Sequence, residues 1–165
     1  NEAVSFKGIG LHSGKISNVK LIPSKASQGI IFKRLDVKEN NIIEANFKNV
    51  TTTNLSTTLE NSFGYKVSTV EHLLAAFYIV GIDNVTVEID NEEIPIMDGS
   101  SKDFVEILIR SGIKKLDKKR KFLKILKKVE FKEEEKTIYI EPNNLSFEVN
   151  FQLNYSNAII GKQQK

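Results

Sequence analysis

Residues 68–90, STVEHLLAAFYIVGIDNVTVEID, join two hydrophobic periods that belong to different kinds of structure. In the first half, Val70, Leu73, Leu74, Phe77 and Gly81 recur at three- and four-residue spacing, which is the repeat of one helical face. Ala75, Ala76 and Ile79 occupy the other side, so the helix is expected to be buried nearly all round. Ser68 stands where an N-cap belongs and Glu71 follows three residues later, the pattern of a capping box. Gly81 supplies the stop. Shortly afterwards Val85, Val87 and Ile89 alternate with Asn84, Thr86, Glu88 and Asp90, which predicts a half-buried strand. A helix in need of cover beside a one-faced strand points to layered sheet-and-helix architecture.

The remainder of the chain supplies mostly strands. ISNVKLIP (16–23) alternates loosely, with Ile16, Val19 and Leu21 as its apolar members. GIIFKRLD (29–36) and NIIEANFKNV (41–50) are apolar runs of strand length, rich in β-branched residues. The threonine-rich 50–58 reads as a strand edge or a loop, and Gly64 in NSFGYKV suits a hairpin connection. NEEIPIMDGSS (91–101) is a loop with turn chemistry at Asp98-Gly99. Ser100 and Asp103 then open a second helix whose inward positions are Phe104, Ile107, Leu108 and Ser111, with Gly112 as its end.

Residues 114–128, KKLDKKRKFLKILKK, are densely basic, and a domain boundary is expected near Lys118. Beyond it Leu123, Ile125, Val129 and Phe131 alternate, and KEEEK (132–136) reads as a charged turn. Residues 137–155 read as a hairpin, with Leu145, Phe147, Val149, Phe151, Leu153 and Tyr155 in unbroken period two. No helix follows to cover that apolar face, and a small sheet with one open side is an unfinished domain. The expected organisation is therefore an α+β first domain, residues 1–117, and the strand-only start of a second, residues 118–165.

Hydrophobic residues make up 40% of the 165, enough to build a core. No run of about 18 apolar residues predicts a membrane-spanning helix. The absence of cysteine excludes a disulfide framework and a thiolate metal site, and it fits a reducing compartment. The chain opens on Asn rather than Met, without a signal-peptide pattern, so residues ahead of it are expected. A net charge of +3 is too small to imply nucleic-acid binding by itself.

Chemistry concentrates at Glu71 and His72, the latter one of only two histidines. Glu71 suits a capping role, and a lone histidine is most often packed or surface-exposed. The same pair also suits a metal site with an adjacent base. Neighbouring helical residues diverge by roughly 100°, yet at a helix start both can reach one point. A neutral imidazole would bind zinc while the carboxylate took a proton from the metal-bound water. The helical zinc-protease pattern is absent, because position 76 is Ala. Catalytic zinc needs three protein ligands, and with His12, His72 and no cysteine a further ligand must be a carboxylate or lie outside the chain.

GIGLHSG (8–14), the stretch 68–90 and EIPIMDGSS (93–101) occur in that order. Together they closely resemble the UDP-3-O-acyl-N-acetylglucosamine deacetylases of lipid A biosynthesis. The resemblance runs over nearly the whole chain and extends more weakly through KKRKFLKILKKVEF and LSFEVNFQLNY. It implies two α+β domains of similar topology with the active site between them, in a cytoplasmic zinc hydrolase. That enzyme removes acetate from the 2-acetamido group of a UDP-linked acylated amino sugar. By this resemblance His72 is the zinc-binding histidine and Glu71 the general base. TTNLSTT (52–58) matches a loop near the active site, so Leu55 and Ser56 are candidate substrate contacts. The family's other zinc ligands, a histidine and an aspartate, lie in a second-domain helix motif that these residues do not contain. The resemblance thus implies the first half of such an enzyme, inactive by itself.

Two other functions are open to the chain. Segment 114–128 carries the charge density of a basic module for nucleic acid or another polyanion, although the same lysines suit a solvated strand face. A non-catalytic scaffold is the third reading. The deacetylase reading implies no nucleic-acid partner. GIGLHSG is not read as a dinucleotide loop, because KISNVKLIPS after it is strand-like. It is read instead as a strand-to-strand turn requiring positive φ at its glycines, and His12 within it is assigned no role.

Overall fold

The computed structural model describes residues 2–144 and 147–165. They divide into two compact units, Asn1–Arg120 and Lys121–Lys165. The first contains strands β1 (Val4–Ile9), β2 (Ile16–Pro23), β3 (Ile30–Arg34), β4 (Ile42–Glu44), β5 (Val50–Thr52), β6 (Thr58–Glu60) and β7 (Lys66–Val67). Helix α1 (Glu71–Val80), strand β8 (Val85–Ile89) and helix α2 (Lys102–Ser111) complete it.

Five strands form one sheet in the order β1-β2-β8-β3-β4. All neighbours are antiparallel except β3 and β8. The register sets Val19 opposite Ile89, and both Leu21 and Phe32 beside Val87. Because side chains alternate across a strand, these residues share one face. On it they meet Leu73, Ala76 and Phe77 of α1 and Phe104 and Leu108 of α2 in a single buried cluster. Phe6 of β1 meets Phe104 edge to face, with ring centroids 5.4 Å apart. The result is the expected two-layer α+β domain. A smaller sheet, β5-β6-β7, carries the chain into α1, and its β6–β7 hairpin turns at Asn61–Gly64 as read from Gly64.

The strict alternation of β8 is observed, with Val85, Val87 and Ile89 buried. α2 buries Phe104 and Leu108, as its spacing predicts, while Ile107 and Ser111 are half-buried and Val105 rather than Ile107 packs against the core. In β2 the loose alternation resolves differently, since Ser17, Val19 and Leu21 are buried and Ile16 is exposed. Gly81 ends α1 in the left-handed conformation.

Three expectations are corrected. α1 is not buried all round: Ala75, Tyr78 and Ile79 are exposed. The helix meets the sheet and α2 along one stripe only, and small or apolar residues on the far side do not by themselves create a covering layer. In the stretch 8–14, only Gly14 of the three glycines has positive φ, at 65°. Gly8 and Gly10 are needed for space instead, since a Cβ would lie 2.8 Å from Pro95 Cβ and 2.4 Å from Glu93 Oε2 respectively.

The third correction concerns the tail. Among the described residues, 113–128 carry neither helix nor strand. Arg120 returns to the end of α1 and donates to Asp83 and to the Gly81 carbonyl, where the helix dipole favours a cation. In the second unit β9 (Val129–Glu133) and β10 (Lys136–Ile140) form a hairpin around the charged turn. The strand partner of 137–140 is thus the segment before it, not the described residues 147–155. Among the described residues of the period-two run, only Gln152–Asn154 is strand (β11), and it pairs with Lys162–Gln164 (β12). Leu145 lies outside the described residues. An alternating pattern states which side chains would share a face; it does not choose the partner, and β12 has no apolar period to reveal it.

Candidate functional site

β7 delivers the chain to α1 through an unusual entrance. Ser68 pairs with Glu93 as a parallel bridge. Its N–H and Oγ both donate to the Glu92 carbonyl, and its own carbonyl accepts from the Ile94 N–H. Ser68 is therefore committed to sheet-like pairing and does not cap the helix. Thr69 follows at φ 56°, in the left-handed region that a β-branched residue rarely occupies. Val70 has helical dihedrals but offers no side-chain cap.

The capping box read from Ser68 and Glu71 is accordingly not formed. Glu71 is the first helical residue, and its Oε2 accepts from the Thr57 N–H at 2.9 Å. Its charge still complements the helix N-terminus. The loop between β5 and β6 thus holds the carboxylate through its main chain. In that loop Leu55 is exposed at φ 61°, while Ser56 is half-buried next to Thr57.

His72 Nε2 lies 4.0 Å from Glu71 Oε1, and both side chains are partly open to solvent. Consecutive side chains on a helix point roughly 100° apart, so their convergence follows from position in the first turn. Ser101 Oγ donates to the His72 carbonyl at 2.9 Å and ties the start of α2 to this turn. An imidazole nitrogen and a carboxylate oxygen thereby face one region of solvent. That arrangement can present a metal ligand beside a proton acceptor. Among the described residues no group of three or more His, Asp or Glu side chains gathers to hold a metal ion. Two surface depressions lie away from the pair, one lined by Ser5, Asn18 and Glu88, the other by Asn40, Glu44 and Asn61.

Sequence reasoning missed Glu93. Its side chain is 1% exposed, yet it is fully partnered. Oε1 accepts from the His12 N–H at 2.9 Å and from Thr69 Oγ1 at 3.0 Å, and Oε2 accepts from the Ser13 N–H at 2.7 Å. Burial pushes the Glu93 carboxyl up, but the donors from His12, Ser13 and Thr69 together outweigh it and hold the group below the ordinary glutamate range. Its main-chain carbonyl accepts from the buried Ser17 Oγ at 2.8 Å. No periodicity marks such a residue. The one available signal was Gly10, a position where the turn must come close to something.

The sequence matches the family model for UDP-3-O-acyl N-acetylglycosamine deacetylase over residues 1–165. It is 43% identical over 160 residues to the UDP-3-O-acyl-N-acetylglucosamine deacetylase of Wigglesworthia glossinidia brevipalpis, covering 96% of this chain and 53% of that protein. The enzyme of the same name from Geotalea uraniireducens (strain Rf4) is 42% identical over 160 residues, covering 97% and 52%. That of Actinobacillus pleuropneumoniae serotype 3 (strain JL03) is 37% identical over 161 residues, covering 98% and 53%. The chain spans about half the length of the curated relatives it matches. With the Glu-His pair set in a helix entrance of a two-layer α+β domain, and with a family match running from the first residue to the last, this chain belongs to the UDP-3-O-acyl N-acetylglycosamine deacetylase family.

Proposed function

We propose that this chain is the Glu-His portion of a zinc-dependent deacetylase. The substrate is a UDP-3-O-acyl-N-acetylglucosamine, and the reaction releases acetate from its 2-acetamido group in the cytoplasmic stage of lipid A biosynthesis. Residues 118–165 are the opening strands of a second domain that brings the remaining zinc ligands. The observation that carries this reading is the 4.0 Å approach of Glu71 and His72 at a solvent-open helix entrance, with Glu71 held from behind by the Thr57 amide.

Zinc, when bound, polarises an amide carbonyl and lowers the pKa of a water. His72 offers a ring nitrogen to it as one ligand. Glu71 uses its two oxygens differently. Oε2 is engaged by the Thr57 N–H, which fixes the carboxylate plane, while Oε1 stays on the His72 side to accept a proton from the attacking water. Leu55 and Ser56 lie in the loop that holds Glu71 and are taken as its substrate contacts. The basic segment 114–128 is read as a solvated connection with no nucleic-acid partner.

The test is acetate release from the acylated UDP-sugar by the full-length protein. Glu71→Gln keeps the shape of the side chain and removes its basicity. It should lower kcat by about 10²–10⁴-fold with KM little changed, the usual worth of a positioned general base. Turnover at the wild-type level in that variant would refute the assignment.

A further inference from the structure

We infer that Glu93 and Thr69 are positioning residues for the Glu71–His72 pair, acting through the backbone that enters α1; this rests on the reading of that pair given above. Glu93 joins three segments at one carboxylate. The turn 10–15 is held by the His12 and Ser13 amides, the β7 exit by the Thr69 hydroxyl, and the 91–96 segment by its own main chain.

Gly10 leaves room for this arrangement, since a Cβ there would overlap Glu93 Oε2. The Thr69 end is the informative one. Thr69 is 2% exposed and sits at φ 56°, two residues before Glu71. A β-branched side chain in that region is strained and persists only where its surroundings hold it. The partner that holds it is Glu93 Oε1 at 3.0 Å. Glycine would adopt this φ without strain but would lack the hydroxyl. Threonine therefore serves as a tether whose other end is a buried anion. The tether fixes the direction in which the chain starts α1, and with it where the first-turn side chains point. A shift of about 1 Å in a reacting group can cost a hundredfold in rate.

The experiment uses the full-length protein and separates positioning from stability. Thr69→Gly relieves the strained φ while cutting the tether, so its melting midpoint should stay near wild type. Its kcat should fall about ten- to hundredfold with KM little changed. Thr69→Ser, which keeps the hydroxyl, should recover most of kcat. Ser17→Ala removes another buried hydrogen bond to Glu93, at its main-chain carbonyl. It should lower the melting midpoint and leave kcat intact.

A second arm does not depend on activity. Amide exchange at Val70 and Leu74, whose N–H groups donate to Thr57 and Val70 carbonyls, should quicken in Thr69→Gly and in Glu93→Gln. Exchange in β8 should not change. Wild-type kcat and wild-type exchange in Thr69→Gly would overturn the inference, as would kcat losses that merely follow the melting midpoint across all variants. A wild-type protein unable to release acetate would sink the deacetylase reading instead, and the exchange arm would then decide the positioning role by itself.

Discussion

Glu93 shows how a charge survives almost without water. Burial disfavours the carboxylate, but donors from His12, Ser13 and Thr69 favour it more, and its pKa is lowered from the ordinary 4.5. A carboxyl lowered on folding stabilises the folded state above its unfolded pKa, and that contribution is lost as pH falls through the folded value. Asp36 adds in the same direction, because the Arg34 guanidinium hydrogen-bonds to it and lowers it from 3.8 against the opposing effect of burial. Stability measured by urea unfolding should therefore be level near neutrality and fall as pH drops below about 4.5. Glu93→Gln offers one acceptor oxygen to three donors, and should lose about 1–3 kcal/mol at pH 7. It should also show a shallower decline in acid. An unchanged acid slope in Glu93→Gln would mean that other groups carry the effect. Gly10→Ala tests the same contact from the other side. The new Cβ would stand 2.4 Å from both Glu93 Oε2 and Ser13 Oγ, so a loss of about 1–3 kcal/mol is expected in the same measurement.

At the scale of elements, α1 separates what a hydrophobic pattern can tell from what it cannot. Its existence, its end at Gly81 and its inward Leu73 and Phe77 followed from spacing, because a 3.6-residue repeat states which side chains share a face. Its start did not. Ser68, Glu71 and their spacing satisfy a local rule, but Ser68 is claimed by long-range pairing with Glu92, Glu93 and Ile94, which no local window contains. The same reason hid Glu93 and Thr69, whose roles exist only across separations of 24 residues or more. The Glu-His pair was visible as a motif, and its convergence was anticipated from its place at a helix start. The contact from Thr57 was not, since an amide donor leaves no trace in residue identity. The one-sided burial of α1 can be checked directly. Phe77→Ala should cost about 3–5 kcal/mol by cavity formation. Ile79→Ala, on the exposed side, should change stability by less than about 0.5 kcal/mol. Comparable losses in both would restore the all-round burial that the sequence suggested.

At the scale of the molecule, the two units differ in how they are built. The first has a continuous core from β2, β3, β8, α1 and α2. In the second, every residue of β9 and β10 is exposed, including Val129, Phe131, Ile138 and Ile140. Such uncovered apolar strands favour association and offer little protection. Residues 129–140 should thus exchange their amides faster than β8, and a β9–β10 hairpin as protected as β8 would contradict this. With one histidine at the helix entrance and no group of three ligands among the described residues, the 165-residue chain by itself should release no acetate in a zinc-dependent manner. The most direct test of the division of labour at the helix entrance is zinc content per full-length protein molecule in two variants, Glu71→Ala and His72→Ala, determined by elemental analysis alongside turnover. We predict near-wild-type zinc with collapsed turnover for Glu71→Ala, and loss of both for His72→Ala. Equal zinc in the wild type and His72→Ala, or equal loss from both variants, would contradict the roles given to these two side chains.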